Sequence, residues 1–182
     1  RFNLLKKNKI KLIKIDAKNF NHIREYFKKK SPNIIIHLAA VSHATRSNQN
    51  PLHTFDNSLI TLRNSLENSK KKIDKFIFLS SSMVYGNFKK KKVKENEDCN
   101  PIGIYGGLKL SAEKIIKGYG QVFDLPYTII RPSALYGERC ISRRVGQIFI
   151  ENALNNSKIL INGDGEEKLD FTYIEDLING II

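Results

Sequence analysis

The 182-residue chain contains two cysteines, one methionine and no tryptophan. Cys99 and Cys140 are too few and too far apart for a redox pair or a structural zinc site, so no metal is expected and a reduced, cytoplasmic setting is. No apolar run reaches membrane-spanning length, and the first residues lack the charged-then-apolar pattern of a secretory leader. Acidic residues are scarce, 18 against 31 lysines and arginines, for a net charge of +13. A basic balance of that size raises the question of nucleic acid. The lysines are spread along the chain, however, and cluster only at Lys28–Lys30, Lys70–Lys72 and Lys89–Lys92. The first two clusters fall at helix ends, where cations suit the dipole. The third falls in a polar loop and is followed by Glu95, Glu97 and Asp98. Aromatic–basic interleaving and zinc-knuckle spacing are both missing, so no nucleic-acid partner is expected. What is present is enough apolar residue, 41%, for one folded unit with a real core.

Periodicity organises that unit. Residues 9–16 alternate apolar and charged, end on Asp16 and predict a strand. Phe20, Ile23 and Phe27 mark a helix over 19–30, broken by Ser31-Pro32-Asn33. Ile34-Ile35-Ile36, running into His37-Leu38-Ala39-Ala40, predicts a strand buried on both faces. Pro51 opens a helix expected to reach Lys71, with Leu52, Phe55, Leu59, Leu62 and Leu66 as its apolar stripe. Phe76–Leu79 predicts the next strand, which ends in Ser80-Ser81-Ser82. After a polar loop, a helix with Ala112, Ile115, Ile116 and Tyr119 inward follows, then a strand over 127–130. The remainder predicts a helix over 143–155, a strand over 158–162, a turn at Gly163-Asp164-Gly165 and a helix from Ile174. Strands alternating with helices of this length predict an α/β fold with a doubly wound parallel sheet. Ligands bind beyond the carboxyl ends of such strands. Asp16, Ala39-Ala40, Ser80–Ser82 and Ser133 all fall there.

The helix after the serine strand opens with Tyr105-Gly106-Gly107-Leu108-Lys109. Residues four apart share a helix face. A phenol titrates near ~10 and is a poor base at neutral pH. An ammonium ~4 Å away, at an effective dielectric of ~20, favours the phenolate by roughly 4 kcal/mol. That is about 3 pKa units and would bring the phenol near 7, where it can take a proton from an alcohol and return it. Ser81 at its strand end is placed to donate to the same oxygen. An exposed Tyr–Lys pair and a serine turn would need no such chemistry.

Taken together, Ser80-Ser81-Ser82-Met83-Val84-Tyr85-Gly86, the Tyr105–Lys109 stretch, His37-Leu38-Ala39-Ala40, Pro51 with Asp56-Asn57, Arg131-Pro132-Ser133-Ala134-Leu135-Tyr136-Gly137 and Asp170–Asp176 resemble the extended short-chain dehydrogenase/reductases. The nearer likeness is to the NAD-dependent sugar-nucleotide epimerase/dehydratases, the group of UDP-glucose 4-epimerase. The resemblance implies a partial Rossmann-like domain over 1–135 and the start of a substrate-binding region over 136–182. It implies Ser81, Tyr105 and Lys109 as the catalytic trio, with NAD as cofactor (NADP left open). Asp16 and Ala17 would meet the adenine end. Leu38, Ala39, Ala40, Ser42, Asn57, Ser80 and Pro132 would line the cofactor with Tyr105 and Lys109, and Lys109 would also bond the nicotinamide ribose. Ser81, Ser82, Met83, Ala134 and Arg143 would face a nucleotide-sugar substrate. A homodimer through a helix pair is implied for the full-length protein. An acid at a strand end (Asp16) and a polar residue on a helix (Asn57) need no ligand on their own account.

The chain departs from the family pattern in several places. The Gly-x-x-Gly-x-x-Gly phosphate loop is absent, as is the acid that would select NAD over its 2′-phosphate. A chain truncated at both ends is the simplest account. Ser82 and Met83 stand where dehydratases of the family carry an Asp-Glu acid–base pair, and neither can replace it. Ala134 stands for an asparagine near the diphosphate, and Leu169 for a phosphate-gripping arginine. Arg139, Arg143 and Arg144 offer other positive charge. The resulting expectation is a sugar-nucleotide epimerase working through a keto intermediate. A reductase or dehydratase of the same family is the alternative within the fold, and an inactive or non-enzymatic cofactor-binding chain the alternative outside it.

Overall fold

The computed structural model describes every residue except 1, 71, 72, 89, 91, 141–143 and 167. The predicted role of Arg143 and parts of two lysine clusters therefore lie outside the described residues. Three parallel strands, β1 (Ile34–His37), β2 (Lys75–Leu79) and β3 (Tyr127–Ile130), form the main sheet in the order β1-β2-β3. Ile36 aligns with Ile77, and Phe78 with Ile129. The β1–β2 crossover carries α3 (Ala44–Gln49), α4 (Pro51–Phe55) and α5 (Thr61–Ser69); the β2–β3 crossover is α6 (Gly103–Phe123). Phe76 and Phe78 of β2 meet Leu62 and Leu66 of α5 and Ala112 and Ile116 of α6 in one buried cluster. This is a Rossmann-like α/β arrangement, present in part.

Burial separates the middle strand from its neighbour. β2 holds Phe76, Ile77 and Phe78 almost wholly out of solvent, whereas Ile34 and Ile36 of β1 are 57% and 49% exposed. The expected two-sided burial of β1 is thus not met, because β1 is an edge strand. Residues 10–16 form no strand either, and Ile10, Leu12 and Ile13 stay exposed. An alternating segment becomes a strand only when a neighbouring ladder receives its backbone groups, and no described strand pairs with it. The same holds for 158–162. An early helix, α1 (Phe2–Lys7), precedes the extended segment.

Helix α2 (Phe20–Lys30) starts at Asn19, whose side chain accepts from the His22 amide, and stops at Ser31 in the left-handed region. Asn50 likewise caps α4, with Pro51 in the first turn. The predicted 51–71 helix is continuous in direction but is interrupted by a π-helical turn over Asp56–Ile60, a slip common at functional sites. Leu52, placed in its stripe, is 75% exposed, and Ile115 of α6 is 38% exposed. Two three-residue strands, β4 (Ala134–Tyr136) and β5 (Phe171–Tyr173), pair in parallel as a second small sheet. Helices α7 (Val145–Leu154) and α8 (Ile174–Ile181) complete the described elements.

Candidate active site

The carboxyl end of β2 and the first turns of α6 meet at the candidate site. Beyond Leu79 the chain enters a short 3₁₀ turn over Ser82–Val84, capped by Ser81, whose Oγ accepts from the Met83 amide at 3.2 Å. Helix α6 lies close on this turn: a Cβ on Gly106 would sit 2.7 Å from the Met83 carbonyl oxygen. Only glycine allows that approach, which brings Tyr105 to Ser81. Tyr105 is half-buried beside Ser81, near enough for the serine hydroxyl to favour the phenolate.

Lys109, one turn on, is buried. Its Nζ donates to the Leu79 carbonyl at 2.5 Å and lies 4.8 Å from the Phe78 ring centre and 5.9 Å from that of Tyr105. The expectation that Lys109 brings the phenol near 7 is corrected by this geometry. A buried ammonium needs an acceptor, and Leu79 supplies it. Burial pushes the Tyr105 phenol above its ordinary value, against the opposing pull of the Ser81 hydroxyl and the Arg144 charge. Arg144, just before α7, also donates to the Ser42 carbonyl at 3.4 Å. Burial draws the Lys109 ammonium down to about 8, with Glu113 opposing. His37, at the end of β1, is held near 4 by burial and then by Lys109. Its Nε2 has no partner, and its ring lies between Phe76 and Phe78.

The other expected positions are distributed as follows. Leu38 and Ala39 form an exposed ledge after β1, and Ala40 is half-buried. Thr61 Oγ1 donates to the Ala39 carbonyl at 3.0 Å, fixing that ledge to the helix beyond the π-turn. Asn57 lies in the π-turn and donates to the His53 carbonyl. The exposed Asp16 accepts from the Lys18 amide. Asn64, fully buried, donates to the carbonyls of Ala17 and Lys18 at 2.9 and 2.8 Å. Ser80 is turned away from the ledge, with its Oγ donating to Glu113 at 2.5 Å; a cofactor contact through this hydroxyl is not what the geometry offers. The Pro132 carbonyl accepts from the Ser82 amide at 3.0 Å, which ties β3 to the serine turn. Met83 is exposed, and Ala134 opens β4. A cleft runs past Ser82, Tyr85, Arg131, Ser133 and Asp170; Tyr105 and Lys109 do not line it.

Sequence reading passed over Thr61, Asn64, Asn48 and Glu113. Asn48 of α3 accepts from the Ile104 amide at 3.1 Å, so a side chain distant in sequence caps the helix that carries Tyr105. The residues present suit the two ends of a dinucleotide but not its middle. Leu38 is 68% exposed beside small residues, a flat apolar ledge that an adenine or nicotinamide ring can cover. No glycine loop for the diphosphate occurs in the sequence.

A parallel sheet with a Ser–Tyr–Lys group at its carboxyl edge defines the short-chain dehydrogenase/reductase class. The sequence pattern of the NAD dependent epimerase/dehydratase family matches residues 1–182, and the chain belongs to that family. It is 37% identical over 153 residues to a putative UDP-glucose 4-epimerase of Methanocaldococcus jannaschii, covering 81% of this chain and 50% of that protein. A dTDP-D-glucose 4,6-dehydratase of Dictyostelium discoideum is 29% identical over 191 residues, covering 97% of this chain and 43% of its own length. The UDP-glucuronic acid 4-epimerase of Bacillus cereus, solved with UDP-glucuronic acid and NAD, superposes with a TM-score of 0.86 at 29% identity, over 98% of this chain and 58% of that one. The chain thus spans about half the length of the curated relatives it matches. Among the described residues no helix is long and apolar enough to cross a membrane.

Proposed function

We propose that the whole protein is an NAD-dependent sugar-nucleotide epimerase. The observation that carries this reading is the half-buried Tyr105 phenol beside Ser81 at the end of β2, with buried Lys109 on the next turn. Tyr105 must first give up its own proton, which burial opposes; once ionised it takes the proton from a sugar hydroxyl and later returns it. Ser81 bonds the same oxygen and steadies it as the ketone forms. NAD, when bound, accepts and returns the hydride of the sugar carbon. Leu38–Ala40, Asn57, Asp16 and Ala17 would hold its two ends, with Lys109 at the ribose. The 136–182 region begins the sugar-binding part, and a cytoplasmic homodimer is the setting the family favours.

Epimerisation is preferred to dehydration because Ser82 and Met83 offer no acid–base pair. The test uses the full-length protein with NAD and a panel of UDP- and dTDP-sugars. Interconversion of C4 epimers without net NADH supports the reading, and Tyr105→Phe should lower kcat by about 10²–10⁴-fold. Net NADH, or a dehydrated keto-sugar as sole product, rules out an epimerase. Unchanged activity in Tyr105→Phe rules out the trio.

A further inference from the structure

One face of α6 carries Tyr105, Lys109 and Glu113 at successive turns, and each meets the end of β2. Tyr105 lies beside Ser81, Lys109 bonds the Leu79 carbonyl, and Glu113 accepts from Ser80 Oγ at 2.5 Å. Three successive residues of the chain are thereby set against three turns of one helix. Glu113 is itself fully buried and held by Arg131, the residue after β3, in a two-pronged pair: Nε to Oε1 at 2.9 Å and NH2 to Oε2 at 2.6 Å. Arg131 also donates to the Tyr85 hydroxyl at 2.7 Å and the Glu95 carbonyl at 3.0 Å. A buried ion pair is expensive and can often be replaced by apolar packing without loss of stability. Its placement here calls for another explanation than stability.

We propose that Glu113 is a positioning residue: it fixes Ser80 and Arg131 against α6, and so holds Ser81 and Lys109 in register with Tyr105 for proton transfer. The proposal rests on the epimerase-type chemistry argued above. Without Glu113 the Ser80 hydroxyl loses its acceptor and the Arg131 guanidinium its carboxylate, keeping only Tyr85 and the Glu95 carbonyl, and the strand end is free to shift against the helix. A misplacement of ~1 Å costs about 10²-fold in rate even when the mutated group is remote from the reacting atoms. Glu113 has a second, electrostatic effect, since it favours the charged form of Lys109 against burial. The other charged or titratable groups around Lys109 are His37 on β1 and Tyr105 on its own helix. Arg131 acts through Glu113, and Arg144 through Tyr105.

The test is made on the full-length enzyme with NAD and its best sugar nucleotide, at a temperature where every variant is folded. Glu113→Gln should lower kcat about 10²-fold with KM little changed, and should move the alkaline limb of the kcat–pH profile to lower pH. Glu113→Gln strands Arg131, so Glu113→Gln/Arg131→Met and Ser80→Ala accompany it. The double variant removes both charges and should show the same loss and the same shift. Ser80→Ala keeps the ion pair and should show a smaller loss of kcat with no shift. A folded double variant with wild-type kcat and an unmoved alkaline limb would overturn the proposal. Tyr105→Phe in the same series separates the two readings. If it is inactive while the Glu113 variants are unimpaired, only the positioning role fails; if it is fully active, the catalytic reading fails and the role of Glu113 with it.

Discussion

The two parts of the candidate site are built differently. At the catalytic end, Ser80, Ser81, Lys109 and Glu113 are buried, and side chains of one helix grip a strand end residue by residue. At the end proposed above for the adenine, Asp16, Leu38 and Ala39 are exposed, and their loops are held mainly by two side chains, Thr61 and Asn64. The first end concentrates charge in a region with little water, the second leaves backbone ready to be covered. The contrast implies that the catalytic end responds to protons, and the adenine end to the loss of a tether.

The largest expected effect is at His37. Its folded-state value near 4 lies below the ordinary 6.5 because burial penalises the imidazolium and Lys109 repels it. Between pH 6.5 and 4 the unfolded chain binds a proton that the folded chain refuses, so stability falls as pH drops. The shift corresponds to about 3 kcal/mol at most. Urea unfolding of the wild type at pH 7 and pH 4 should show a loss of that order, and His37→Leu should remove most of it. An equal acid loss in His37→Leu would mean that the proton-sensitive group lies elsewhere and would weaken the contrast between the two ends.

Lys109 should show the same sign in a higher pH window. Its value near 8 is lowered from 10.5 by burial, so the charged form costs the folded state stability at neutral pH. That cost disappears as pH rises from about 8 to 10.5, where the unfolded chain still holds the proton. The shift corresponds to about 3 kcal/mol. Lys109→Met removes the cost and also the hydrogen bond to Leu79, worth about 1 kcal/mol. The variant should therefore be about 2 kcal/mol more stable at pH 7, with the difference shrinking as pH rises from about 8 to 10.5, while the full-length enzyme loses activity. A stability gain bought by losing function would mark Lys109 as a residue kept for chemistry. A variant less stable at pH 7 would instead make it a structural tie.

Much of the catalytic end was legible in the sequence, because its signals are local. Tyr105 and Lys109 are one helical turn apart, and the serines follow an apolar run of strand length. What those side chains do to one another was not legible. The lysine charge was expected on the phenol, but the Leu79 carbonyl takes it, and Arg144 reaches Tyr105 from a distant element. Glu113 repeats the four-residue step beyond Lys109, between inward-facing Ala112 and Ile116, and that spacing could have revealed it. At the other end, the alternation of residues 9–16 was plain, but pairing is decided by a neighbour that no local pattern specifies. The π-turn at Asp56–Ile60 is a slip in backbone hydrogen bonding with no side-chain period of its own. Strands β4 and β5 are too short to show one.

The smallest predicted effect bears on the tethered end. Asn64 is wholly buried, and its amide serves the carbonyls of Ala17 and Lys18 while its oxygen accepts from Arg63 Nε and NH2 at 3.1 and 2.9 Å. Both bonds from the amide nitrogen hold one loop against α5, and the oxygen is taken by the neighbouring Arg63. Asn64→Ala leaves two carbonyls to find water and should cost about 1–2 kcal/mol. Because the 10–16 segment carries no strand ladder, the damage should remain local. Amide exchange should quicken in 16–19 while β2 and α6 keep their protection. In the full-length enzyme KM for NAD should rise with kcat nearly unchanged, the reverse of the pattern expected at Glu113. A fall in kcat at constant KM would show that the two parts of the site are mechanically one, and that the exposed ledge is as rigidly coupled to Tyr105 as the buried strand end is.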